Sequence, residues 1–140
     1  MDTNARAAKP VFVAVAVVED RGCYLIGQRP PGVPLAGLWE FPGGKRRPGE
    51  SAAQAAERET LEETGVAVRA IGEHETVTKT YDHGTVEVTF VACQLAGESR
   101  EPRAPFLWVP AAEIGNFEFP AANHALVRKL VAGASSSSPA

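Results

Sequence analysis

Cysteine, positive charge and long apolar runs are all in short supply in this chain, and each shortage removes a class of protein. There are two cysteines, Cys23 and Cys93, in 140 residues. Neither has a CxxC neighbour, so a zinc ribbon or a thiol redox motif is excluded. Each lies in an apolar, strand-like run, where a buried free thiol is the expectation, and nothing requires a disulfide between them. No apolar run approaches ~18 residues, so no membrane-spanning helix is expected. Lys and Arg number 14 against 17 Asp and Glu, a net charge of −3. A broad basic surface for a nucleic-acid polymer is therefore not expected, and a substrate carrying phosphates would need local cations or bound metal. The polar, alanine-rich start lacks a signal-peptide core, which makes the cytoplasm the default location.

What is present suits one domain with a sizeable core. Residues 1–9 have no periodicity and read as a flexible N-terminus. Residues 133–140 are low in complexity and read as a disordered tail. Between them, residues 10–132 carry the folded domain. Val11 to Val18 is β-branched and apolar throughout, the pattern of a strand buried on both faces. Glu19 to Gly22 is a turn into a second strand at Cys23 to Ile26. Pro30 to Gly37 is a loop, followed by a short strand at Leu38 to Phe41 and a turn at Pro42 to Gly44. Further strands are expected at Val66 to Ile71, His74 to Thr80, Thr85 to Leu95 and Phe106 to Val109. A final amphipathic helix over Ala121 to Val131 points Ala125, Leu126 and Leu130 inward. The mixture gives an α+β class with a helix-covered mixed sheet.

The chemistry concentrates between Gly43 and Val66. Ser51 with Gln54 forms a capping box and Gly65 is a stop, so a helix is expected over about residues 52–64. On a wheel at ~100° per residue, Ala52, Ala55 and Ala56 form one stripe, which Glu59, Glu62 and Glu63 continue. Gln54, Glu57 and Leu61 fall on the other side. Carboxylates at such spacing repel, and the C-terminal end of a helix disfavours anions. A charge run of this kind is ordinarily a solvated face. Placed on the packing stripe, it calls for a cation. Clustered hard oxygens suit Mg²⁺, with Mn²⁺ as the alternative. Arg58 can neutralise part of the excess or hold a carboxylate by a bidentate bond.

Gly44, Glu50, Arg58-Glu59, Glu62-Glu63 and Gly65-Val66 stand at a spacing that resembles the Nudix box. Thr60 departs from it, standing where the pattern usually has an aliphatic residue. The resemblance implies an α/β/α sandwich around a central mixed β-sheet, and hydrolysis of a nucleoside diphosphate linked to another group. It implies Glu59, Glu62 and Glu63 as metal ligands, helped by the Gly43 carbonyl. It makes Glu59, Arg58 and Glu62 the catalytic set, with Glu59 as first choice of base and Glu98 or Glu101, in a mobile loop, as alternatives. Glu50 is expected to fix the loop.

The flanks resemble MutT-like enzymes, which clear oxidised nucleotides such as 8-oxo-dGTP. Leu38 to Lys45 matches their lead-in and implies Glu40, Phe41, Pro42 and Gly43 as substrate contacts. Gln28-Arg29-Pro30 matches the segment supplying a phosphate-binding arginine, here Arg29. Phe119 to Asn123 matches the segment whose asparagine reads the base. A side-chain amide offers donor and acceptor together, as a purine edge needs. Plainer readings stand beside these. Trp39 and Phe41 can be core, Asn123 can cap the last helix, and Arg29 can pair with a surface carboxylate. His74, His83 and His124 are too scattered for a metal site.

The expected reaction is Mg²⁺-dependent hydrolysis of a nucleoside triphosphate to the monophosphate and pyrophosphate, by a monomer or homodimer. Cytidine nucleotide hydrolases share the Leu-Trp-Glu-Phe lead-in and are the nearest competitor. Dinucleoside polyphosphates and ADP-ribose also stay open as substrates: Tyr81 stands where ADP-ribose enzymes tend to carry a proline, and a tyrosine near that position resembles dinucleoside polyphosphate hydrolases. From another class, a non-catalytic nucleotide-binding Nudix domain would have no need of all these carboxylates.

Overall fold

Strand β1 (Val11–Asp20) is the axis on which the other elements are placed. The structure is a computed structural model, and it describes residues 10–82 and 84–136. Along one edge β1 runs parallel to β6 (Gly84–Leu95), from Val11↔Val86 to Val18↔Cys93. Its other edge is shared. Val13 to Val15 pair antiparallel with β4 (Gly43–Lys45), and Glu19 and Asp20 pair with β2 (Cys23–Gln28). β2 also takes β3 (Trp39–Glu40) and β7 (Phe106–Pro110), and β5 (Val68–Tyr81) pairs antiparallel with β6. The sheet is therefore mixed, as expected.

The period of two along β1 divides the core. Ala14, Ala16 and Val18 face helix α1 (Ala52–Thr64), whose Ala52, Ala55 and Ala56 pack on them. Small residues on both sides let the helix lie close to the sheet. Val15 and Val17 face the opposite layer, where Phe90, Ile114, Leu126 and Leu130 gather under helix α2 (His124–Ser136). Helix, sheet and helix make the three-layer sandwich. Val11 and Phe12 are exposed, so β1 is buried on both faces only beyond them.

Four expectations need correction. Pro42 to Gly44 is not a turn, because Gly43 and Gly44 belong to β4 and pair with Val15 and Ala14. Val66 to Ile71 and His74 to Thr80 are not two strands. β5 runs through both, with register shifts at Ala70/Gly72 and Glu73/Glu75. The Ala70 N–H donates to the Glu57 carboxylate at 2.8 Å, so a helix side chain ties the strand at its irregular point. Ala125 is exposed and Val127 takes its inward place, because α2 begins at His124 after a 3-10 turn over Ala121–Asn123. Finally, α2 continues through Ser136, so residues 133–136 are helical. Expectations for residues 1–9, His83 and 137–140 lie outside the described residues. Among the described residues, no helix is long and apolar enough to cross a membrane. Both thiols are free, and burial pushes Cys93 up to about 12, which leaves it unreactive.

Candidate functional site

The site is built at the C-terminal end of α1, where the helix meets β4. At the other end, the Ser51 side chain accepts from Gln54 N–H at 3.0 Å and the Gln54 side chain accepts from Ser51 N–H at 2.9 Å. Gly65 closes the helix in the left-handed region at φ 79°, donating to Leu61 O. The core-facing stripe does not run on through the glutamates. It runs Ala52, Ala56, Thr60, Thr64, and both threonines are fully buried. Each threonine hydroxyl donates to the carbonyl four residues back, at 2.7 Å. Thr60 thus fills an aliphatic position with its methyl and satisfies its hydroxyl within the helix. Glu59 and Glu63 flank this stripe, and Glu62 is half exposed.

Arg58 organises the acids. Its Nε and Nη2 grip both oxygens of Glu50 at 2.6 and 2.9 Å. Its Nη1 donates to Glu59 at 3.0 Å and to Glu62 at 3.2 Å, and Nη2 also reaches Lys45 O at 3.1 Å. Arg58 and the Arg47 backbone N–H hold the Glu50 carboxyl down at about 2.

β4 presents its free backbone to the same place. Ala16 N–H donates to Pro42 O and Arg46 N–H to Phe12 O. Residues 42 and 46 therefore face β1, and by alternation Gly43 and Lys45 turn their N–H and C=O away from it, toward the helix end. Gly43 N–H accordingly donates to Glu63 Oε1 at 3.3 Å. A Cβ at Gly44 would stand 2.6 Å from the Glu59 carboxylate and push it aside, and one at Gly43 would stand 2.5 Å from Ala14 O, so neither position takes a side chain without displacing the site.

Glu63 is the electrostatic anomaly. Burial pushes its carboxyl up to about 8, assisted by a hydrogen bond with Glu59 and by the charges of Glu59 and Glu40. A carboxyl that stays protonated near neutrality, beside another acid, marks a place short of positive charge. Among the described residues no three acidic, histidine or cysteine side chains converge as a ready-made metal set. The donors nevertheless fit a hard divalent cation in kind. They are carboxylate and carbonyl oxygens, unevenly neutralised, and one is held neutral for want of a charge.

Beyond Glu40 lies an apolar cavity of about 1050 Å³ between Leu38, Val88, the Phe117 to Ala122 segment and Val127 of α2. Trp39 N–H donates to Glu118 O at 2.8 Å, and the Trp39 ring meets Phe117 edge-on, centroids 4.7 Å apart. Phe41 is 4% exposed and stacks on Phe119 at 5.2 Å, and Pro42 is fully buried. Phe41 and Pro42 therefore back the wall, and neither offers a face to a bound base. Arg29 is taken up by Glu40 at 2.8 Å and Pro34 O at 2.7 Å. Asn123 ends the turn before α2, between the cavity-lining Ala122 and His124.

Glu98 and Glu101 are exposed, and their loop is tied down. Arg100 donates to Asp20 at 2.7 Å and lies over Trp108, while Trp108 Nε1 donates to Arg100 O. Arg103, which no motif pointed to, donates from Nη2 to Glu62 O at 2.6 Å. Its backbone N–H donates to Thr64 O at 2.8 Å. It caps the carbonyls that the acids crowd. A loop cation between two prolines, Pro102 and Pro105, gives no sequence signal for a contact 41 residues away.

Known proteins resemble this chain in sequence and in fold. A family model described as NUDIX domain matches residues 13–129. The CTP pyrophosphohydrolase of Escherichia coli (strain K12) is 46% identical over 66 residues, 47% of this chain and 48% of that protein. That match spans about half the relative's length. A putative 8-oxo-dGTP diphosphatase 2 of Mycobacterium tuberculosis is 35% identical over 126 residues, 86% of each chain. Among solved structures, the E. coli ORF135 protein superposes with a TM-score of 0.72 at 26% identity, over 96% of this chain and 98% of that one.

Proposed function

Since the chain belongs to the Nudix hydrolase family, in its MutT-like branch, and so is a hydrolase of phosphoanhydride bonds, we propose that it cleaves a nucleoside triphosphate to the monophosphate and pyrophosphate, with Mg²⁺ as its cofactor and Mn²⁺ as a substitute. The observation that carries this reading is the half-buried acid pair Glu59 and Glu63, within electrostatic reach of Glu40, the residue that leads to the cavity. A base in the cavity would put its phosphates along β3 and β4, at the end of α1.

Glu59, Glu62 and Glu63, with the Gly43 carbonyl, would hold the metal, which when bound neutralises charge on the phosphates and on the leaving oxygen. Arg58 is the positioning residue of the catalytic set, since its guanidinium fixes Glu59 and Glu62 against Glu50 and Lys45 O. Glu59 is assigned the proton of the attacking water. Its carboxylate is packed against Gly44 and shares a hydrogen bond with Glu63, whereas Glu98 and Glu101 are exposed in the pinned loop. Arg29 and Glu40 form a half-buried pair between cavity and acids, from which Arg29 would turn to a phosphate oxygen. Asn123 would read the base at the cavity's edge.

An oxidised purine nucleotide is the substrate favoured here, drawn from the cytoplasmic pool. The 46% identity to a CTP pyrophosphohydrolase supports a cytidine nucleotide as the second reading. Pyrophosphate release measured over 8-oxo-dGTP, dGTP, plain and modified CTP, ADP-ribose and a diadenosine polyphosphate separates the two. The oxidised purine is expected to give the highest kcat/KM. Asn123→Ala is expected to cut that preference by about 10-fold, the worth of one bidentate base contact. An unchanged ranking in the variant would overturn the role of Asn123.

A further inference from the structure

An acidic site that accepts a polyanion needs donors for the far end of the phosphate chain, and most cations nearby are already committed. Arg29 is held by Glu40 and Pro34 O, and Arg58 by three glutamates. Arg46 is bound twice to Glu50 O and lies over the Phe12 ring. Arg103 caps α1. Arg47 differs from all of these. Its backbone is fixed, because its N–H donates to Glu50 Oε1 and its C=O accepts from Glu50 N–H. Its side chain is 64% exposed, and among the described residues its one ion pair is a long 3.5 Å contact with Glu62. A guanidinium carries several N–H donors, so most of those on Arg47 are unspent. Lys45 is also exposed and, among the described residues, has no ion pair. Both line a groove of about 350 Å³ beside Glu50, floored by Val11 and Phe12.

Chain order adds direction. Leu38 lies at the cavity, Gly43 at the acids, and Lys45 and Arg47 at the groove. A nucleotide lying along this stretch, base first, would bring its last phosphates to Arg47. We propose that Arg47, assisted by Lys45, grips the distal phosphates of the substrate and the departing pyrophosphate, and so makes the enzyme select triphosphates over diphosphates. This rests on the triphosphate reading above, and it assigns Arg47 to the substrate, with no part in holding Glu62.

The test compares wild type, Arg47→Ala and Arg47→Lys in three measurements: binding of inorganic pyrophosphate by calorimetry with Mg²⁺ present, Mn²⁺ affinity by paramagnetic resonance, and KM and kcat for a nucleoside triphosphate and its diphosphate. Loss of a charge-assisted contact predicts pyrophosphate binding about 10-fold weaker in Arg47→Ala, partly restored by Lys, with Mn²⁺ affinity unchanged. KM for the triphosphate rises and that for the diphosphate stays. Equal pyrophosphate binding in wild type and Arg47→Ala, or a parallel fall in Mn²⁺ affinity showing that Arg47 only steadies Glu62, would overturn the assignment. If the wild type turns over no triphosphate, it is the underlying functional reading that fails.

Discussion

Burial beside Glu59 holds Glu63 protonated up to about pH 8, whereas its unfolded value is 4.5. Between those values the native chain keeps a proton that the unfolded chain has lost. The stabilising contribution is therefore complete below 4.5 and is lost as pH rises through about 8. Glu50 runs the other way. Arg58 and Arg47 hold it at about 2, so its contribution is present above 4.5 and is lost as pH falls toward 2. The metal-free protein is thus expected to lose stability on both sides of a mildly acidic window. Calorimetric melts should show the metal-free Tm falling by about 5 °C from pH 5.5 to 8.5, with Mg²⁺ restoring it and displacing a proton on binding at pH 7. Glu63→Gln should flatten that slope. An identical slope in the variant would remove Glu63 as its source. None of this could be read from the sequence, where Glu59, Glu62 and Glu63 look alike. Only the fold shows that Glu63 is half-buried beside Gly43, that Glu59 is half-buried and gripped by Arg58, and that Glu62 is half exposed.

Helix α1 was legible almost to the residue, because its signals are local. Ser51 and Gln54 cap it, Gly65 ends it, and both act within one turn. The side each residue presents was less legible. A wheel spreads the packing stripe over Glu59 and Glu63, whereas Thr60 and Thr64 carry it, and a buried threonine that bonds its own helix looks polar in a sequence. β5 was divided in two for a related reason. Gly72 and the flanking glutamates look like a break, but the irregularity is absorbed by register shifts and by Glu57. The loop after β6 shows the limit most clearly. Arg103 closes the α1 terminus from far along the chain, supplying positive charge where the dipole and the acids concentrate negative charge. Arg103→Ala should cost about 1 kcal/mol of stability and, by removing a fixed positive charge that competes with the metal, tighten Mn²⁺ binding several-fold, as read by chemical denaturation and paramagnetic resonance. Unchanged Mn²⁺ binding would limit Arg103 to fastening the loop.

Over the whole molecule, two cores lie on either side of one sheet, one under the acidic helix and one beside the apolar cavity. α1 rests on the alanine face of β1 and carries the acids. α2 and the Phe117 to Phe119 segment, on the other face, wall the cavity, and β3 joins the two. The class and layering follow from the doubly apolar β1 and two separated helices. Phe41 was legible as an aromatic in the lead-in, but its burial depends on Phe119, far along the chain and beyond any local pattern. The central claim is that the end of α1 is where a phosphoanhydride is hydrolysed with a divalent cation. The most direct test is pyrophosphate release from a nucleoside triphosphate with Mg²⁺ by Glu59→Gln and Glu62→Gln, alongside their melting temperatures. Turnover in both should fall by about 100-fold or more while the fold survives. Wild-type turnover in either variant would contradict the account.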